Sequence, residues 1–130
     1  MNMNRPIFCS ATLFILLATS VASAGTTDAY PVSISAGGNT VRGSMSGARN
    51  SPDSNQYIEC MSEANSLSNQ IVAQCMARDA AGASFSCSST DPKIVAVVQS
   101  ISDSSYLFIE ADNSRKCLHV FVSNSSRFLP

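Results

Sequence analysis

The sequence has no tryptophan, one histidine and few charges, with charged residues making up 13% of its 130 positions. It has no basic block, so sequence-independent nucleic-acid binding has no electrostatic driver, and strong adsorption to anionic membrane has none either. No G-x-G-x-x-G or Walker pattern occurs, and no G-x-S-x-G elbow, which removes the usual signatures of phosphate cradling and serine hydrolysis. No C-x2-C pair occurs, and Asp112-Asn113-Ser114 lacks the glycine and distal glutamate of a calcium loop. No metal and no cofactor are expected. The N-terminal uncharged run, residues 7–18, falls short of the ~18 or more apolar residues that a membrane span needs.

That run reads instead as the centre of an export signal. Arg5 supplies the positive charge before it, and Ala22-Ser23-Ala24 supplies the small residues of a cleavage site. Residues 1–24 are therefore expected to be removed, taking Cys9 with them and leaving one small domain over 25–130. Its formal charge is −2, from 7 basic against 9 acidic residues, and 21 of its 106 residues are serine. Neutral hydroxyls thus take the place of charges on its outer faces. The expected location is secreted or periplasmic, with no membrane span after cleavage.

Four cysteines remain, Cys60, Cys75, Cys87 and Cys117, an even number in an oxidising compartment, and two disulfides are the expectation. Hairpin symmetry narrows the pairing, because opposed residue numbers sum to a constant. A turn over 65–69 allows a sum of 135 and sets Cys60 opposite Cys75. A three-residue loop at Asp79–Gly82, with Gly82 free to take positive φ, gives 162 and sets Cys75 opposite Cys87. With three cysteines in one row across three strands, Cys60–Cys75 with Cys87–Cys117 is the simpler arrangement. Cys75–Cys87 with Cys60–Cys117 is the rival.

Along the chain, 25–30 reads as a mobile lead-in and 31–35 as a short edge strand. Residues 40–47 alternate with period 2 as a strand, in which Gly43 and Gly47 make sense only where another backbone or a ring comes close. Further strands are expected near 56–62, 70–78, 83–89, 106–111 and 117–123. Asp91 as N-cap and Pro92 at the first helical position, followed by Ile94, Val97, Val98 and Ile101 on one face, predict a helix over 92–102. The last hairpin is apolar on both faces, with Leu118, Val120 and Val122 on one and Cys117 and Phe121 on the other, so the strand is expected to be central or covered on both sides. The tail after Asn124 is polar, and Asn124-Ser125-Ser126 is a glycosylation sequon. The fold class is α+β: an antiparallel sheet of about six short strands with one helix, stabilised by disulfides.

Catalytic residues are hard to assemble. His119 sits two positions after Cys117 and is expected on the same strand face, but export leaves no free thiol for a Cys–His pair. Glu59 and Glu63 flank Cys60, and Glu110 and Asp112 lie near the last turn; outward, solvated carboxylates explain them more simply than a glycosidase pair. Tyr57, Tyr106, Phe108 and Phe121 could form an aromatic platform, although core packing also accounts for them.

The pattern Ala48-Arg49-Asn50-Ser51, Tyr57-Ile58-x-Cys60, Cys75-x-Ala77-Arg78-Asp79-Ala80 and Cys87 resembles a group of small exported, uncharacterised bacterial proteins. The resemblance runs over nearly all of 25–130 and implies no substrate, cofactor or catalytic residue. The expected function is that of a non-catalytic binding or interaction module engaging a protein or an envelope surface. A small hydrolase using His119 is the alternative, and a protease inhibitor presenting 50–55 or 65–69 is the third. The sequence leaves oligomeric state open.

Overall fold

Two tight turns set the register of half the molecule. The computed structural model describes residues 25–129, and the signal peptide expected over 1–24 lies outside the described residues. Strands β3 (Tyr57–Asn65) and β4 (Gln70–Arg78) pair antiparallel with Cys60 opposite Cys75. Strand β5 (Ser84–Ser89) pairs with β4 so that Cys75 also faces Cys87. Asn69 takes φ 52° at the first turn and Gly82 φ 86° at the second. The Asp79 carboxylate accepts from the Ala83 N–H at 2.9 Å, which closes the second loop.

Among the described residues seven strands divide between two antiparallel sheets instead of forming one. The second sheet has the order β1 (Ser33–Ile34), β2 (Thr40–Ser44), β6 (Ser105–Ala111), β7 (Cys117–Asn124), and the first is β3-β4-β5. They meet where Ser88 bridges Lys116, with the Ser88 N–H donating to the Arg115 carbonyl at 3.0 Å. The Cys87–Cys117 disulfide ties them at the same place, while Cys60–Cys75 staples β3 to β4. This is the simpler of the two pairings that turn symmetry allowed.

Helix α2 (Pro92–Val98) begins as the sequence predicts, with the Asp91 carboxylate accepting from the Lys93 N–H at 2.8 Å and Pro92 in the first turn. It ends earlier than 102. Ser100 Oγ donates to the Val97 carbonyl at 2.7 Å and the N–H of Ser100 follows it, which tightens the last turn. Val95 and Val98 are its buried residues, with Ile94, Val97 and Ile101 half-buried beside them. They join Ala73, Cys75, Ala77, Phe85, Leu107, Ile109 and Val120 in one core. The small residues of β4 leave room for the helix. Asn124 at the end of β7 fastens the far end: its Nδ2 donates to the Ser100 carbonyl at 2.9 Å, while its Oδ1 accepts from the buried Ser105 hydroxyl.

Three sequence expectations fail here for one reason, which is that distant segments touch. The strand expected over 40–47 stops at Ser44, and α1 (Met45–Arg49) follows with Ser44 Oγ accepting from the Gly47 N–H at 2.9 Å. Gly47 is required because any Cβ there would collide with the Tyr30 carbonyl, and a Cβ on Gly43 would come within 3.1 Å of Val32 Cα. The lead-in is also held. Tyr30 donates its N–H to Ser44 Oγ at 3.0 Å, the Ser44 N–H donates to the Tyr30 carbonyl at 2.9 Å, and Asp28 pairs with Arg127 at 2.6 Å. The tail beyond Asn124 is correspondingly not all polar surface, since its 3-10 turn (Ser126–Phe128) buries Phe128.

Candidate functional site

The exposed outer face of the four-stranded sheet carries the most concentrated chemistry among the described residues. Phe108 on β6 stands opposite Phe121 on β7 and opposite Arg42 on β2. Glu110 stands opposite His119, and the His119 ring lies 5.8 Å from that of Phe108, edge to face. Phe121 is 47% exposed. At one end the face is closed by Tyr106, which packs on Tyr30 at 5.3 Å and on Phe128 at 5.8 Å between centroids. Two shallow concavities, of 280 and 230 Å³, flank the Arg42 side chain and share Ser33. Arg42 has no carboxylate partner, since among the described residues the one ion pair joins Arg127 and Asp28.

A bulge lets this face coexist with an inward Cys117. The ladder between β6 and β7 shifts between Glu110 and Ala111, so that Glu110 pairs with His119 and Ala111 with Cys117, leaving Leu118 as the extra residue. Cys117 and Val120 then both point into the core, whereas His119 and Phe121 point out. This corrects two expectations. His119 does not share a face with Cys117, and Leu118 and Phe121 are exposed instead of covered.

Of the four aromatics considered as a platform, Tyr106, Phe108 and Phe121 come together, while Tyr57 lies on the other sheet. Arg42 is the member that the sequence did not single out. An isolated arginine in an alternating strand carries no signal of its own, and only strand order puts it beside Phe108. The four cysteines are all structural, two disulfides with no free thiol among them. The acids Glu59 and Glu63 lie exposed on β3, far along the other sheet from Glu110 in strand order.

For catalysis, the arrangement offers one histidine beside one carboxylate, on a sheet face and without a hydrogen bond between them among the described residues. Among those residues no three His, Cys, Asp or Glu side chains gather as a metal would require. A concavity of 470 Å³ lies between β4 and α2 and is walled by Ile71, Pro92, Val95 and Ala96 with Thr90 and Gln99 at its edge; it holds no titratable group. The loops are well pinned. Asp53 accepts from the N–H groups of Asn55 and Gln56 and from Gln56 Nε2, which holds its carboxyl below the ordinary 3.8, the Gln56 side chain being the largest cause. Asn65 Oδ1 accepts from Leu67 N–H at 2.9 Å, and Leu67 is 96% exposed. Of the two short motifs in the resemblance, one closes a turn through Asp79, and in the other Asn50 ends a helix through its backbone N–H to the Ser46 carbonyl at 2.9 Å. No helix of the described residues is long and apolar enough to cross a membrane. No protein-family model, curated protein or solved structure matches this chain.

Proposed function

We propose that this chain is an exported, non-catalytic binding module that uses the outer face of its four-stranded sheet. The observation that carries this reading is the row Arg42, Phe108, Phe121, in which Arg42 and Phe121 are exposed on either side of a half-buried Phe108, although the same strands bury Leu107, Ile109 and Val120 on their other side. An exposed phenylalanine and a half-buried one beside an arginine with no carboxylate partner among the described residues are the composition of interface anchors. The two disulfides suit a chain that works in a secreted or periplasmic space, and the export signal read over 1–24 agrees with them. The group of small exported bacterial proteins that the sequence resembles is consistent with the same setting. The partner is a protein or an envelope surface.

The experiment is capture from the host envelope with the oxidised protein, repeated with Arg42→Ala/Phe121→Ala and with His119→Phe. Loss of the captured species in the first variant and retention in the second support the module. Retention in both removes this face from binding, and a hydrolytic activity that only His119→Phe abolishes would instead support catalysis by His119 with Glu110.

A second reading has its own observation. Leu67 projects from a turn pinned by Asn65 and backed by the Cys60–Cys75 disulfide, a shape suited to filling an apolar pocket of a protease. Inhibition across a protease panel, lost in Leu67→Gly, would establish it.

A further inference from the structure

Strand β3 is an edge of the three-stranded sheet and is nine residues long. Cys60 and Cys75 stand 4.0 Å apart at Cα, which marks the narrow, non-hydrogen-bonded kind of antiparallel pair. Alternation then turns the backbone N–H and C=O groups of Glu59, Met61 and Glu63 toward β4, and those of Cys60, Ser62 and Ala64 away from the sheet. Among the described residues no backbone group outside the β3–β4 ladder bonds to these three.

Edges of this kind are normally blunted by charged side chains, proline, a bulge or a covering element. β3 contains no lysine, proline or glycine, pairs with β4 without a register shift, and is exposed from Met61 to Asn65. What it carries is Glu59, Met61 and Glu63, successive on one exposed face. Neither carboxylate has an ion-pair partner among the described residues. A second copy is a poor occupant. Antiparallel self-pairing centred on Met61 sets Glu59 opposite Glu63 twice, and pairing centred on Cys60 or Ser62 still gathers four carboxylates on one face.

We infer that β3 accepts an extended, cationic segment of a partner protein as an added antiparallel strand. Lysine or arginine of the partner stands opposite Glu59 and Glu63, and an apolar side chain stands opposite Met61. Backbone hydrogen bonds to Cys60, Ser62 and Ala64 supply affinity, and the alternating side chains supply selectivity. The Cys60–Cys75 disulfide holds the edge in the required form before the partner arrives. This surface lies on the other sheet from the aromatic face and does not depend on it.

The test uses the oxidised protein and a labelled threonine-rich peptide with Lys, Val and Lys at alternate positions, read by anisotropy and by amide hydrogen exchange. Expected are slowed exchange at Cys60, Ser62 and Ala64, loss of binding on N-methylation of the peptide, and about tenfold weaker binding when Glu replaces Lys in it. Glu59→Lys/Glu63→Lys is expected to reverse that preference. Equal binding of both peptides, no binding at millimolar Lys peptide, or protection confined to other amides overturns the inference. So does protection of the β3 amides that grows with protein concentration alone, because that outcome is self-pairing. The N-methylated peptide keeps the test decisive even where the double variant fails to fold.

Discussion

Cys117 and His119 are two positions apart on β7 and face opposite sides of the sheet, one in the core and the other in water. A regular strand would put them together. The extra residue is Leu118, and its absorption as a bulge lets His119 and Phe121 face outward while Cys117 and Val120 both stay buried.

Deleting residue 118 should therefore be tolerated. The shortened strand keeps Cys117 and Val120 inward by simple alternation, and the expected stability change is within about 1 kcal/mol. Deleting Phe121 should cost about 2–4 kcal/mol, because Val122 then leaves the core. Denaturant midpoints with intact disulfides compare the two.

The two disulfides should differ in weight. They close separations of 15 and 30 residues, worth about 3 and about 4 kcal/mol in the chain-entropy account. Cys87 and Cys117 are also buried and join the two sheets, whereas Cys60 is only half-buried. Cys87→Ala/Cys117→Ala should lower the unfolding midpoint more than Cys60→Ala/Cys75→Ala, and the reverse order would show that staple position matters less than the β3 edge.

Gly47→Ala should be severely destabilising, by about 3 kcal/mol or more, because the Tyr30 backbone fills the space where its Cβ would go. Gly37→Ala meets nothing within 4 Å, and a change within about 0.5 kcal/mol is expected. Thermal unfolding of the pair measures the difference.

Asp53 should give the fold an acid-sensitive component. Its carboxyl is held below 3.8 in the folded protein, first by Gln56 Nε2 and then by the Asn55 N–H. A depressed native value means that stability from this group is fully present above the unfolded value and is lost as pH falls through the folded one. The midpoint gap between the protein and Asp53→Asn is expected to be constant from about pH 5 upward and to shrink below 3.8. The same variant should loosen Val32, whose N–H donates to Gln56 Oε1 at 2.8 Å. A gap independent of pH would show that Asp53 acts without its charge.

What the sequence alone decided were the local matters. Turn residues and hairpin symmetry placed Cys60, Cys75 and Cys87 in one row, and Asp91-Pro92 opened a helix, because capping and turn chemistry act within a few residues. Three of the platform aromatics were also visible as residue types. Tertiary structure decided the rest. The Tyr30 backbone turned the end of a predicted strand into α1, and one inserted residue changed the faces of β7. Strand order brought Arg42 to Phe108 and left β3 at an edge. Each depends on which distant segment arrives, and the free energy of that arrival is written in no single stretch of the chain.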